Sequence, residues 1–341
     1  MKYTKKEKII FTIIVILGSL LALGIISEIS ARIILYFGRG TWKLPLKYNS
    51  EIGWMATPNY VSKKTCHAYN GGKYNCGKVT TNEYGFRSWG DLNKQKRIFV
   101  VGDSFTHSLF VSDQNTWYKV FGQKFNAEIF AYGCGGYGTL QEYMVIDKYY
   151  DIIKPDIVIV QFCFNDFSDN YYKNSSRIKM SNGFRYRPYL ENGKIVYRNL
   201  RPLGFEISND YSYVAYFIWN RVNNILEKYK GLPQLSTSEN EILDAEADNV
   251  TRIILGKIRT RTSGTELYIL PLCCKGLELK RLKFICHSLN INIILDAEAV
   301  MGGSNNKQKF LAEDGVHYNE EGDMVIGNFL SEWFNSREAK N

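Results

Sequence analysis

Short apolar segments alternate with amphipathic stretches along most of the chain. Five of these segments are apolar almost throughout, and they lie at 97–102, 127–132, 156–163, 266–272 and 292–295. Strands that are apolar on both faces and are separated by helices are typical of a parallel sheet covered on both sides. The pattern therefore predicts an α/β fold, a three-layer α/β/α sandwich around a central five-stranded parallel sheet.

A different pattern occupies the N-terminus. Residues 9–27 carry no charge, and as a helix they would span about 28 Å, close to the hydrocarbon thickness of a bilayer. Lysines crowd residues 1–8, so the positive-inside rule predicts a cytoplasmic basic tail there, a transmembrane anchor over 9–27 and an extracytoplasmic remainder. A cleaved signal peptide is the alternative, and the small residues around 22–30 make an indifferent cleavage site for it. We therefore expect a single-pass cell-membrane protein.

Two segments do not follow the alternation of predicted strands and helices. Residues 28–95 are punctuated by Gly and Pro and form a membrane-proximal lead-in to the main domain, which we place at 96–335. Within that domain, an insertion at about 170–250 should contain a hairpin over 185–198, an aromatic-rich amphipathic helix over 211–229 and a second helix over about 238–262. The insertion follows the third strand, so it is either a wall of the site at the strand ends or surface decoration.

The net charge of +9 does not indicate a nucleic-acid-binding protein. Four of the lysines lie in the first eight residues, and no Lys/Arg-dense face with interleaved aromatic residues occurs elsewhere. The excess of positive charge is better explained by the lysines that precede the predicted transmembrane anchor.

Seven cysteines leave at least one thiol unpaired. Cys66 and Cys76 flank a Gly-Gly turn, and outside the cytoplasm a disulfide between them is the favoured prediction, with free thiols as the alternative. A metal site using His67 is disfavoured, because neither a C-x-x-C spacing nor a second histidine is present in the segment 66–76. The other five cysteines fall in or beside predicted core segments and should be buried apolar residues.

Three predicted strands end in residues suited to acyl chemistry. Ser104 follows the first strand, the glycine-rich segment 133–138 follows the second and Asn165 follows the third. In open parallel sheets, ligands bind beyond the carboxyl ends of the strands, so these segments should converge on one site.

A serine hydroxyl needs a base to become a nucleophile. Of the four histidines, only His317 has a carboxylate three residues upstream in a loop, in Asp314-Gly-Val-His317. We predict Ser104 as nucleophile, His317 as general base and Asp314 as the residue that orients His317. Asp103 and Asp166 are interpreted as structural residues that bind loop amides rather than as the paired carboxylates of a glycosidase.

The developing oxyanion would need hydrogen-bond donors. The candidates are the backbone N–H groups of Ser104 and Gly136 and the side-chain amide of Asn165. The glycine spacing matches neither nucleotide-binding fingerprint. An α/β-hydrolase is disfavoured, because Ser104 lacks the Gly-x-Ser-x-Gly elbow.

The order Ser, Gly, Asn, His of these blocks resembles the SGNH hydrolase superfamily, also called GDSL-type esterases, over roughly residues 95–335. The serine block reads Gly-Asp-Ser-Phe where many members have Gly-Asp-Ser-Leu, and the third block begins at Cys163 where the common pattern has Gly. The lead-in, with its Gly-Trp and Gly-Phe-Arg sequences, is similar to that of membrane-anchored members. The resemblance implies a flavodoxin-like SGNH fold, a reaction without metal or cofactor, and Gly136 rather than Gly135 as the oxyanion donor.

The expected function is a serine esterase that hydrolyses O-acyl, chiefly O-acetyl, esters on an envelope glycan or lipid of a bacterium. The alternative is an O-acetyltransferase that passes the acyl group to a sugar hydroxyl, with a membrane-bound partner supplying it. A non-catalytic glycan-binding or scaffold protein of the envelope is a third class. Expected partners are thus the acylated substrate and the membrane, without nucleic acid.

Overall fold

The structure is a computed structural model, and it describes most of the chain. The described residues are 4–37, 45–67, 73–175, 186–198, 212–215, 217–218, 221–222, 225, 237–302 and 308–339. The chain divides into two compact units, Met1–Leu44 with Arg201–Gly231 and Pro45–Leu200 with Leu232–Asn341.

The first unit contains one long apolar helix, α1 (Lys5–Phe37). Its stretch Lys5–Ile34 has a mean hydropathy of 3.0 and is long and apolar enough to cross a membrane, as a signal sequence would also be. The helix does not end at Ser27, because charged residues such as Glu28 are good helix formers. The predicted start of the lead-in at residue 28 thus lies inside α1.

Glu28 links α1 to the described part of the insertion in the same unit. Its carboxylate accepts hydrogen bonds from the backbone N–H groups of Tyr213 (3.2 Å) and Val214 (3.1 Å) and from the hydroxyl of Ser212 (2.9 Å). These donors begin the helical residues 213–215, so Glu28 caps that turn as an acidic residue at a helix N-terminus does. The rest of the helix predicted over 211–229 lies largely outside the described residues.

In the second unit, the lead-in forms two antiparallel strand pairs that the sequence analysis did not predict. They are β1 (Leu46–Asn49) with β2 (Gly53–Ala56), and β3 (Val61–His67) with β4 (Lys73–Thr80). Cys66 lies in β3 and Cys76 in β4, but their side chains are outside the described part of the structure. The disulfide therefore stays a prediction.

The core of the second unit is the predicted parallel sheet. Its five strands, in spatial order β11-β10-β7-β5-β6, pair in parallel throughout. In chain order they are β5 (Arg97–Gly102), β6 (Glu128–Gly133), β7 (Ile157–Phe162), β10 (Glu266–Pro271) and β11 (Asn292–Ile293). All five predicted strands are confirmed, and β11 is shorter than predicted, since it ends at Ile293.

Helices cover both faces of this sheet, as predicted. Their bounds are α2 (Ser104–His107), α3 (Trp117–Phe125), α4 (Thr139–Ile153), α5 (Asp166–Asp169), α6 (Tyr172–Ser175), α7 (Thr237–Arg261), α8 (Gly276–Ser288) and α9 (Glu320–Glu338). Two short 3₁₀ turns, Ala299–Met301 and Gln308–Phe310, precede α9.

The alternation of side chains in β5 shows how the layers are built. Ile98 and Val100 share a buried cluster with residues of α3 and α9, whereas Phe99 and Val101 share another with residues of α4, α7 and α8. Both faces of the strand are therefore buried, which explains its unbroken apolar sequence. Of the five cysteines expected in the core, Cys273 alone is only half-buried and the other four are buried.

The insertion contributes a hairpin to the second unit. Strands β8 (Arg187–Glu191) and β9 (Lys194–Arg198) pair in antiparallel fashion across Asn192 and Gly193, whose φ angles are 49° and 76°. Positive φ at both turn residues is the two-residue hairpin geometry that an Asn-Gly sequence favours. The hairpin prediction is confirmed, and so is the helix predicted over about 238–262, which is α7.

Candidate active site

Ser104 lies at the abrupt turn from β5 into α2. Asp103 caps the helix, since its Oδ1 accepts the N–H of Phe105 at 2.9 Å. The N–H of Asp103 in turn donates to Oε1 of Gln161 at 3.1 Å, which ties the turn to β7. A β-carbon on Gly102 would lie 2.5 Å from the same Gln161 oxygen, so only glycine fits this close approach.

The structure brings Ser104, His317 and Asp314 together. Nε2 of His317 lies 2.7 Å from Oγ of Ser104, and its Nδ1 lies 2.5 Å from Oδ2 of Asp314. The other Asp314 oxygen accepts the backbone N–H groups of Val316 and His317, each at 3.0 Å. Gly315 permits this tight loop with a φ of 70°. One carboxylate thus fixes both the loop and the imidazole, and the arrangement can move a proton from the hydroxyl to the ring.

The surroundings of His317 adjust its basicity. Burial alone would lower the pKa of His317, but the hydrogen bond and the negative charge of Asp314 outweigh it and raise the pKa above the ordinary 6.5. Burial likewise would raise the pKa of Asp314, but the hydrogen bond and charge of His317 prevail and hold it below 3.8. The pair therefore favours an ionised Asp314 beside an imidazole that accepts protons readily.

The glycine-rich loop after β6 passes beside the nucleophile. A β-carbon on Gly135 would lie 4.0 Å from Cβ of Ser104, and Gly136 has a φ of 77°. The carbonyl of Gly135 accepts a hydrogen bond of 3.0 Å from the indole N–H of Trp54, in the lead-in. Because C=O and N–H point in opposite directions across a planar trans peptide, this bond aims the N–H of Gly136 away from Trp54. The orientation of the predicted donor is thus set by a residue of the lead-in.

Asn165 follows β7, at the neighbouring strand end. Its Nδ2 donates to Oδ2 of Asp169 at 2.8 Å. Since a carboxylate can only accept hydrogen bonds, this contact fixes which end of the amide is nitrogen. The NH₂ group carries a second hydrogen, which can serve an oxyanion.

The carboxylates of Asp103 and Asp166 bind loop amides, as predicted for structural residues. Asp166 accepts the N–H of Cys163 at 2.6 Å and the hydroxyl of Thr139 at 3.0 Å, so it joins the Asn165 loop to the start of α4. Burial raises the pKa of Asp103 to about 6 and that of Asp166 well above its ordinary value. Both side chains are buried, which does not suit the exposed carboxylate pair of a glycosidase.

Three residues that the sequence analysis did not assign to the site support its loops. Trp54 holds the glycine loop, and Arg187 contacts the same loop from the insertion hairpin. Arg87 is buried and donates to the carbonyls of His107, Ser108 (2.9 Å) and Val111 (3.1 Å), which fixes the turn after α2. The Gly-Trp and Gly-Phe-Arg sequences were a usable signal for Trp54 and Arg87, whereas a single arginine in an insertion gives none.

The described residues contain no group of three or more His, Cys, Asp and Glu side chains arranged to hold a metal ion.

Comparison with known proteins identifies a family for this chain. The family model of the GDSL-like lipase/acylhydrolases matches residues 98–330. No curated protein matches the sequence.

Solved structures are similar at low identity. A putative lipolytic protein of the G-D-S-L family from Desulfitobacterium hafniense is 14% identical with a TM-score of 0.40, covering 70% of this chain and 99% of its own. The lipase/acylhydrolase from Enterococcus faecalis is 14% identical with a TM-score of 0.40, covering 71% and 97%. A family 3 carbohydrate esterase from Clostridium thermocellum is 13% identical with a TM-score of 0.37, covering 70% and 94%.

The family model spans the strands that carry Ser104, Gly136 and Asn165 as well as the loop of Asp314 and His317. Because this match includes well over half of the sequence, the chain belongs to the GDSL-like lipase/acylhydrolase family and is an ester-acting hydrolase.

Proposed function

We propose that the protein is a serine esterase that removes O-acyl groups, chiefly O-acetyl groups, from a glycan or lipid of the cell envelope. The observation that carries the proposal is the hydrogen-bonded chain from Ser104 through His317 to Asp314. A hydroxyl, an imidazole and a carboxylate in this order form the arrangement that activates a serine for attack on an acyl carbon.

The reaction would proceed through an acyl-serine. Oγ of Ser104 attacks the ester carbonyl while Nε2 of His317 takes the hydroxyl proton, and Asp314 stabilises the imidazolium. The N–H groups of Ser104 and Gly136 and the amide of Asn165 would stabilise the tetrahedral oxyanion. His317 then returns the proton to the departing alcohol, and a water activated by the same imidazole releases the acyl group as a carboxylic acid.

A hydrolysis assay tests the proposal and separates it from its alternatives. Full-length protein in detergent should release p-nitrophenol and free acetate from p-nitrophenyl acetate, because water is the acceptor of the acyl-enzyme. A parallel reaction contains a methyl glycoside, and both sets of products are identified by mass. Acetylated glycoside in place of acetate would move the assignment to an O-acetyltransferase, whose acyl group a membrane-bound partner would supply. An inert protein would favour the non-catalytic scaffold.

We further propose that residues 9–27 anchor the protein as a single span, with residues 1–8 in the cytoplasm and the hydrolase domain outside. The support is the apolar, unburied stretch Lys5–Ile34 within α1 and the lysines before it. This anchor would confine the site to the vicinity of envelope substrates.

Membrane extraction tests the anchor. The full-length protein should stay in the membrane pellet after washing at alkaline pH, because peripheral contacts are lost there and a spanning helix is not. A variant that lacks residues 5–34 is the control and should be released. Recovery of a soluble chain whose N-terminus lies beyond residue 27 would instead establish a cleaved signal peptide.

A further inference from the structure

Arg187 is a buried arginine that comes from the insertion hairpin. It lies in β8 and is only 2% exposed, in contrast to most residues of β9. The centre of its guanidinium group lies 4.8 Å from the centroid of the Trp54 ring. A buried charge of this kind is costly unless its partners are well placed.

Those partners include the glycine-rich loop, which carries one candidate oxyanion donor, and a residue that contacts the other donor. Nη2 of Arg187 donates to the carbonyl of Gly136 at 2.7 Å and lies 3.3 Å from Oδ1 of Asp169. The other oxygen of Asp169 accepts the amide of Asn165. Nη1 donates to Gln141 in α4 at 3.3 Å. One guanidinium group therefore bridges the glycine loop and, through Asp169, the side chain of Asn165.

We propose that Arg187 is a positioning residue for the oxyanion hole, acting through the Gly136 carbonyl and through Asp169 on Asn165. The inference rests on the proposed esterase reaction and extends it to the insertion. Arg187 itself would not touch the substrate, because both of its Nη atoms are engaged with these partners and its side chain is buried.

The ionisation of Asp169 explains why a positive charge is needed. Burial raises the pKa of Asp169 above its ordinary value, and the charge of Arg187 and the hydrogen bond from Asn165 oppose that rise. The negative charge of Asp169 in turn helps to raise the pKa of the neighbouring carboxyls of Asp103 and Asp166. Arg187 is thus the cation that favours the charged form.

An ionised Asp169 also determines how Asn165 faces the site. A carboxylate demands the NH₂ end of the amide, whose second hydrogen can then reach the oxyanion. A neutral Asp169 could donate to the amide oxygen, and the amide could turn over. Oxygen would then face the developing negative charge and repel it. The loss would appear in the transition state, where the charge develops, and not in the binding of the neutral ester.

Kinetics of Arg187→Met test the proposal. Methionine keeps much of the side-chain length but removes the charge and every donor. We expect kcat to fall by about 10²- to 10³-fold, the loss typical of one oxyanion donor, with KM nearly unchanged. The matched control is Arg198→Met in β9, because Arg198 is exposed and pairs with Glu191 of the same hairpin. The control should keep the wild-type kcat.

A double-mutant cycle separates positioning from a general structural role. If Arg187 acts largely through Asn165, then Arg187→Met should cost far less in the Asn165→Ala background than in the wild type. Fully additive losses, or a folded Arg187→Met protein with the wild-type kcat, would overturn the proposal.

Arg187→Lys keeps the test decisive if Arg187→Met does not fold. Lysine retains the charge beside Asp169 but not the forked geometry that reaches Gly136 as well. We expect an intermediate loss of kcat at an unchanged KM, and a folded lysine variant with the wild-type kcat would contradict the proposal.

Labelling by a fluorophosphonate, which reacts with activated serines, distinguishes a failure of the proposed esterase function from a failure of the proposed role of Arg187. A wild-type protein inert to both the ester and the fluorophosphonate overturns the proposed function and the role of Arg187 with it. A reactive wild type with an equally reactive Arg187→Met variant overturns the role of Arg187 alone.

Discussion

Ser104→Ala is expected to lower kcat for ester hydrolysis by about 10⁶-fold, to the small residual rate that binding and oxyanion donors alone can give. The substitution removes the atom that forms the acyl-enzyme, so no covalent intermediate can accumulate. Measurement of p-nitrophenol release, together with intact-protein mass after rapid quenching, checks both points.

The matched control is Ser336→Ala in the last turn of α9. The Ser336 hydroxyl is exposed and donates only to the Trp333 carbonyl within its own helix. This variant should retain the wild-type kcat and the acyl adduct. A Ser104→Ala protein that keeps a tenth of the wild-type rate would show that another group carries the reaction.

Asp314→Asn should lower kcat/KM by about 10⁴-fold near neutral pH, because the amide no longer selects the imidazole tautomer whose Nε2 accepts the serine proton. It should also move the acid limb of the pH–rate profile. In the wild type the base works only when His317 is neutral, and its raised pKa places that limb above 6.5. Without the hydrogen bond and charge of Asp314, burial prevails and lowers the pKa, so the limb should shift to lower pH.

A pH series of kcat/KM on both proteins checks this prediction. The control is Glu321→Gln, which makes the same change from carboxylate to amide on the exposed first turn of α9. It should leave both the magnitude of kcat/KM and its pH profile unchanged. A limb that stays in place in Asp314→Asn would mean that Asp314 does not set the basicity of His317.

The parts of the fold that the sequence predicted are those governed by local pattern. Strands β5, β6, β7 and β10 are buried on both faces over most of their length, which leaves unbroken apolar runs in the sequence. The Asn-Gly hairpin is likewise a local signal, since few other residue pairs tolerate its backbone angles. The proximity of Ser104, Gly136 and Asn165 follows from the parallel order of the strands, because the carboxyl ends meet at one edge.

What the sequence did not predict depends on contacts between distant segments. Trp54 meets Gly135 across 81 residues, and Arg187 meets Gly136 across 51. Neither Trp54 nor Arg187 alters the pattern of hydrophobic and polar residues around it, so no local pattern indicates the contact. The strand pairs of the lead-in were missed because β1 and β2 are only four residues long and because the polar composition of β3 and β4 resembles a loop.

The hydrogen bond from Trp54 to the Gly135 carbonyl has a consequence for how the protein evolves. The lead-in lies outside the family-matched residues 98–330, yet it directs a backbone amide inside them. Amino-acid changes at Trp54 and in the glycine-rich loop should therefore be correlated among homologues, because the two segments must change together. A homologue that exchanged its lead-in by recombination would need compensating changes around Gly135 to keep the same catalytic geometry.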